Sequence, residues 1–269
     1  MNLYYALSKS PDVYSNLYEH RVGKIVEKTQ DKANLYESIL GKYREENDWQ
    51  DKEYWYTHRF GEYKTAIISE YGENQTLSFE MENSSHLLVG HGEVSVLESS
   101  LSLHRIFGVP YIPGSAIKGV CANVCHTVLG KKNSQYLMDG DYYTALFGTQ
   151  EQAGYIEFHD AWITPRSLKD AIHLDVMTPH HQKYNAGELV APRDDDDPVP
   201  IPFLAASGCF RFLLTCSSNL LPEEQAQQWL EIAKEIVIFA LEHHGIGSKT
   251  NSGYGQMTKV VGNELHANR

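Results

Sequence analysis

The sequence predicts an α+β protein in which a helical N-terminal region precedes a core of the order strand, helix, strand, strand, helix, strand. Two observations carry this. Near residue 75 the chain changes from highly charged, Tyr-rich and nearly free of Gly and Pro to apolar and punctuated by glycine. Beyond that point, segments with helical period alternate with short apolar runs of strand length, bounded by turn residues.

The N-terminal segment "LYEHRVGKIVEKTQDKANLYESILGKYREENDWQDKEYWYTHRFGEYKTAIISEY" suits two or three helices with solvated faces. "TLSFEM" followed by "HLLVGHG" reads as a strand running into a glycine turn. "IPGSAIKGVCANVCHTVLG" reads as a helix with Pro-Gly-Ser at its entry and Gly130 at its exit. "AGYIEFHDAWI" and "GCFRFLLTCSS" read as strands. "PEEQAQQWLEIAKEIVIFALEHHG" is a long helix: Pro222, Glu223 and Glu224 in its first turn suit the dipole, and Gly245 lies just past its end. A last strand, "YGQMTKVV", completes the βαββαβ order of ferredoxin-like, RNA-recognition-like domains. The helical region is thus placed at residues 1–75 and the core domain at 76–269, with a long insertion at about 164–203 between the second and third core strands.

Composition narrows the function classes. The 269 residues are 42% hydrophobic, enough for one substantial core. A formal net charge of -12 excludes a protein whose whole surface attracts nucleic acid, because phosphate binding rests on Lys and Arg. Any RNA or DNA site must be local. No apolar run approaches the roughly 20 residues of a membrane helix, and "MNLYYALSKSPDVYSNLYEH" lacks an apolar signal core, so the expected location is cytoplasmic. Cys121, Cys125, Cys209 and Cys216 fit no common zinc-ribbon spacing, and the first two fall on the apolar stripe of Ile117, Val120, Val124 and Val128. They read as core residues; neither metal nor cofactor is expected.

The donor-rich stretch is "GIGSKTNSGYG", Gly245 to Gly255. It matches neither GxxxxGK[ST] nor GxGxxG, and it links a helix to a strand, whereas those phosphate motifs link a strand to a helix. Its chemistry still suits an anion. Glycines let backbone approach a ligand, free N–H groups form a cradle, and Ser248, Lys249, Thr250, Asn251 and Ser252 add donors. A surface turn of the same composition is the alternative. In "VPYIPGSAIKG", Lys118 opposes the dipole of its helix unless an anion sits at the helix start.

"HLLVGHGEVSVLESSLSLHRIFGVPYIPGSAIKGV", "LFGTQEQAGYIEFHDAWITP", "LDVMTPHHQKY", "PVPIPFLA" and "HHGIGSKTNSGYG", in that order, resemble the RAMP proteins of type III CRISPR systems, over residues 76 to 261. The likeness is to the head-end RAMP subunit of the type III-B Cmr effector complex. It implies a core that holds guide RNA near its 3′ end, in a complex with other RAMP subunits that engages target RNA in antiviral defence. Gly114, Ser115 and Lys118 match the helix-entry motif, and Gly245, Gly247, Ser248, Lys249, Thr250, Asn251 and Gly253 match the loop beside the RNA backbone. In related RAMPs an inserted hairpin presses into the guide–target duplex. Met177, His180, His181 and Tyr184 stand at the matching place, although the segment departs from aromatic-rich versions. The acidic run Asp194 to Asp197 is a candidate contact for a basic neighbour, or a solvated loop tip.

The competing reading is an RNA endonuclease. Thirteen histidines, among them His91, His104, His126, His243 and His244, invite acid–base chemistry. Glu98 lies near the place where target-cutting RAMP subunits carry aspartate, but the surrounding "VLESSLSLHRIFG" resembles the non-cutting head subunit. The expectation is therefore a binding subunit without catalysis of its own. No RNP-type pattern marks stacking aromatics on the sheet.

Overall fold

The computed structural model describes residues 2–8, 29–45, 49–92, 100–178, 184, 186–188, 190–191, 200–217 and 221–260. Its N-terminal helices are α1 (Leu3–Ser8), α2 (Thr29–Glu45) and α3 (Trp49–Tyr71). Strand β1 (Thr76–Asn83) follows, then β2 (Tyr111–Ile112), helix α4 (Gly114–Thr127), helix α5 (Asp141–Phe147) and strands β3 (Ile156–Phe158) and β4 (Ala161–Ile163). The chain continues through β5 (Ile172–Met177), β6 (Ile201–Ala206), β7 (Cys209–Cys216), α6 (Glu223–His243) and β8 (Met257–Lys259). The result is a mixed helical and antiparallel α+β structure. The main sheet runs β2-β4-β7-β1-β8, with β3 also paired to β7, and β5 and β6 form a separate two-stranded sheet.

Register assigns the sheet its two faces, because residues directly opposite across strands point the same way. Tyr111, Trp162, Arg211 and Glu80 form one row across β2, β4, β7 and β1. Helix α3 covers this row: Tyr63 stacks on Trp162 at 4.4 Å, Arg211 lies 4.1 Å over the Phe60 ring, and the Tyr56 hydroxyl donates to the Ile163 carbonyl at 2.7 Å. Burial pushes the Tyr56 phenol well above its ordinary range. Arg211 also pairs with Glu80 at 3.0 Å, so the charges of this row are satisfied beneath the helix. Ile163, Phe210 and Met81 form the neighbouring row, which faces the other way, and are fully buried. The apolar stripe Ile117, Cys121, Val124 and Cys125 of α4 joins the same core, as do Leu230, Val237 and Leu241 of α6. Both faces of β7 are therefore covered by helices.

Several sequence expectations need correcting. "AGYIEFHDAWI" is not one strand: β3 and β4 are split at His159–Asp160, where Asp160 leaves the ladder and its carboxylate accepts the Gly114 N–H at 2.8 Å. The stretch 164–203 is not a plain loop. Its ends carry β5 and the start of β6, paired from Ile172↔Ala206 to Met177↔Ile201, and β6 runs through Gly208 directly into β7. The last strand is shorter than predicted, and α5 and β2 were not predicted. All four cysteines are buried and unpaired, two on α4 and two on β7; burial raises the Cys125 thiol to about 12.

Candidate nucleic-acid interface

The glycine-rich loop begins where α6 ends. Gly245 takes the left-handed conformation (φ 71°) that closes the helix, and its N–H returns to the Ala240 carbonyl at 3.1 Å. Three further hydrogen bonds pin the loop to itself and to the segment after β1: Ile246 N–H to Gly255 O at 2.9 Å, Gly255 N–H to His86 O at 2.8 Å, and Ser248 N–H to Leu88 O at 2.7 Å. Gly247, at φ 94°, packs so closely on the Leu88 carbonyl that a side-chain carbon would collide with it. Gly253, at φ 89°, faces open space. The close approach that a glycine permits is thus made at Gly247 to the protein itself, and only Gly253 offers room outside.

Lys249 is held in the left-handed region at φ 62°, uncommon for a residue with a side chain. It precedes a single turn, Thr250–Ser252, and its carbonyl accepts from the N–H groups of Ser252 and Tyr254 at 2.9 and 3.3 Å. The N–H groups of Gly247, Lys249, Thr250 and Asn251 meet no protein acceptor among the described residues. Lys249, Asn251, Ser252 and Gly253 are exposed, while Ser248 and Thr250 are half-buried. Backbone donors on consecutive residues beside an exposed ammonium form the concavity that receives anions in proteins. Its charge reaches His91: burial, then Lys249, then Lys32 lower the His91 imidazole below its ordinary value.

The helix-entry motif behaves differently. Gly114 is buried against the Phe158 carbonyl, which a side chain would strike, and Asp160 already takes its N–H. This glycine serves packing. Ser115 is exposed and Lys118 half-buried, on the first turns of α4. Met177 ends β5 against the small cluster Leu88, Phe203, Ala205 and Tyr254, so the β5–β6 sheet abuts the loop. Tyr184 is exposed. His180, His181, Glu98 and Asp194 to Asp197 lie outside the described residues.

Of the histidines singled out, His104 is part of the fold: its Nδ1 accepts the Ile106 and Phe107 N–H groups at 3.3 and 3.4 Å, and burial lowers its imidazole. His126 Nδ1 likewise accepts the Met138 N–H at 3.0 Å. His243 and His244 are exposed at the end of α6.

A cluster that sequence reasoning missed adjoins the loop. The Tyr254 hydroxyl donates to Asp175 Oδ2 at 2.8 Å, His86 Nδ1 contacts the same oxygen at 3.2 Å, and the Val176 N–H donates to Asp175 Oδ1 at 2.8 Å. The His86 and His173 rings stack at 4.8 Å and 14°. Burial works against the Asp175 carboxylate, but hydrogen bonds from Tyr254, Val176 and His86 outweigh it and hold it below the usual range. Burial and Asp175 push the Tyr254 phenol up to about 12. The partners come from three segments, with Asp175 lying 89 residues from His86 and 79 from Tyr254, and no spacing in the sequence links them.

Comparison with known proteins agrees with this architecture. The chain is 30% identical over 230 residues to the CRISPR system Cmr subunit Cmr6 of Pyrococcus furiosus, covering 66% of each and so about two thirds of that relative's length. It is 25% identical over 238 residues to the Cmr6 subunit of Saccharolobus solfataricus, covering 80% of this chain and 78% of the other. A chain in the cryo-EM structure of the type III-B Cmr-beta bound to cognate target RNA superposes with a TM-score of 0.63 at 20% identity, over 97% of this chain and 91% of that one, which shows a shared fold. The RAMP superfamily model matches residues 80–258, from the middle of β1 into β8 and so across the whole sheet and the glycine-rich loop, and by that match the chain belongs to the RAMP superfamily.

Proposed function

We propose that this chain is a guide-RNA-binding structural subunit of a type III-B CRISPR effector complex, seated near the guide 3′ end and contributing to target RNA recognition in antiviral defence. The likeness to Cmr6 subunits supports the complex. The βαββαβ reading of the core is supported by the order β1, α4, β3/β4, β7, α6, β8 and by the place of β1 between β7 and β8. Guide binding is assigned to the loop of Gly245, Gly247, Ser248, Lys249, Thr250, Asn251 and Gly253, with Ser115 and Lys118 as flanking contacts and Met177 and Tyr184 toward the duplex. The observation that carries the assignment is Lys249: a left-handed backbone, neighbouring N–H groups without a protein acceptor among the described residues, and an exposed cation coincide at one position of an acidic chain. Catalysis is assigned to other subunits, a reading to which the structural use of His104 and His126 Nδ1 as backbone acceptors lends support. The neighbours are other RAMP subunits, and the site of action is the cytoplasm.

Lys249→Ala tests this in the assembled complex. Loss of one phosphate contact lowers the salt slope of guide binding by about one unit, without sequence preference. An unchanged slope and affinity, with the subunit still incorporated, would sink the assignment.

A further inference from the structure

The His86–His173 pair has a chemistry that its partners dictate. An ionised carboxylate can only accept, and Asp175 is held ionised, so the proton between it and His86 sits on Nδ1. His86 Nε2, on the far side of the ring, then presents a lone pair. His173 Nε2 contacts the Asp170 carbonyl at 2.9 Å, also an acceptor only, so His173 presents a lone pair at Nδ1. Both free nitrogens are acceptors while the rings are neutral. Burial, then His86, lowers the His173 imidazole below its ordinary value, which favours the neutral form near pH 7. The side chain of His86 is 39% exposed and His173 is half-buried.

The pair is joined to the phosphate-cradle loop by two hydrogen bonds, Gly255 N–H to His86 O at 2.8 Å and Tyr254 O–H to Asp175 at 2.8 Å. A strand running through that loop carries, besides phosphates, one hydroxyl donor per ribose if it is RNA and none if it is DNA. We propose that His86 Nε2 and His173 Nδ1 accept hydrogen bonds from ribose 2′-hydroxyl groups, so that this face selects RNA over DNA. The inference rests on the loop reading above and adds to it a discriminating element. The charged and titratable groups facing the pair are Asp175 and Asp170 on the β5 side, Tyr254 in the loop, and Arg44 on α2, whose guanidinium donates to the Ile172 carbonyl at 3.0 Å.

The test is the binding of the full-length chain at low salt to a single-stranded RNA oligonucleotide and to DNA of the same sequence, read as the RNA-to-DNA affinity ratio. At pH 8 the wild type prefers RNA. His86→Ala and His173→Ala each reduce the ratio about fivefold, the worth of one ordinary hydrogen bond. His173→Ala leaves the Asp175 contacts in place, so it keeps the test valid should His86→Ala disturb the fold. Lys249→Ala weakens RNA and DNA alike and leaves the ratio unchanged. As the pH falls far enough to protonate His173, which burial opposes, its Nδ1 ceases to accept, so the ratio falls while affinity for both strands rises. Equal binding of RNA and DNA by the wild type, or a ratio unchanged when His86→Ala and His173→Ala are combined, overturns the inference and leaves the loop reading standing. Affinities that Lys249→Ala does not move overturn the loop reading and the inference with it.

Discussion

At the scale of the residue, the proposed phosphate contact and backbone stability pull Lys249 in opposite directions. A side chain in the left-handed region costs about 1 kcal/mol, and glycine removes that cost at the expense of chain entropy of similar size. Lys249→Gly therefore leaves the unfolding free energy unchanged or raises it by up to about 1 kcal/mol in a denaturant titration, while guide binding weakens as it does for Lys249→Ala. A lysine kept only as a turn residue would show no such split. The histidines make the complementary point. His104 and His126 each use Nδ1 to accept backbone N–H groups, whereas His86 and His173 each turn one ring nitrogen to an oxygen acceptor, a carboxylate and a carbonyl. Residue type alone could not separate these two kinds, because the difference lies in partners distant in sequence.

At the scale of the element, the glycines divide by what surrounds them. Gly247→Ala drives a methyl group into the Leu88 carbonyl at a backbone angle that alanine rarely adopts, and should cost about 1–3 kcal/mol of stability by chemical denaturation. Gly253→Ala meets no neighbour and should cost about 1 kcal/mol, from the backbone angle alone. Equal losses at both positions would contradict the packing described for Gly247. The loop's position between a helix and a strand was legible in the sequence, and so was its wealth of donors. Its anchoring on the Leu88 and His86 carbonyls was not, because those contacts join parts of the chain far apart. The main helices of the core were legible from their period and caps. β5 and β6 were not, since Pro and charge on either side of "IHLDVM" and "IPFLAA" masked a pairing that only tertiary contact decides. The split between β3 and β4 was hidden for the same reason: Asp160 leaves the strand to hold Gly114, a partner 46 residues away.

At the scale of the whole molecule, the cover that α3 lays over the sheet closes one of its faces. In an open RNA-recognition sheet, aromatic side chains on the exposed face stack with bases. Here the corresponding row of Trp162, Arg211 and Glu80 is occupied by Tyr63, Phe60 and the Glu80–Arg211 ion pair, so stacking on that face would require α3 to leave. This agrees with the lack of an RNP-type pattern in the sequence, and on the proposed function the route of the guide is the loop edge, beyond α6 and beside β5. A chain with a formal net charge of -12 binds nucleic acid weakly by itself and gains from neighbours that share the strand. The most direct test is photo-crosslinking of the assembled complex carrying guide RNA with 4-thiouridine placed along its length, followed by peptide mapping on this chain. The account predicts crosslinks within residues 245–255, from nucleotides near the guide 3′ end; crosslinks confined to other surfaces of a fully incorporated subunit would contradict it.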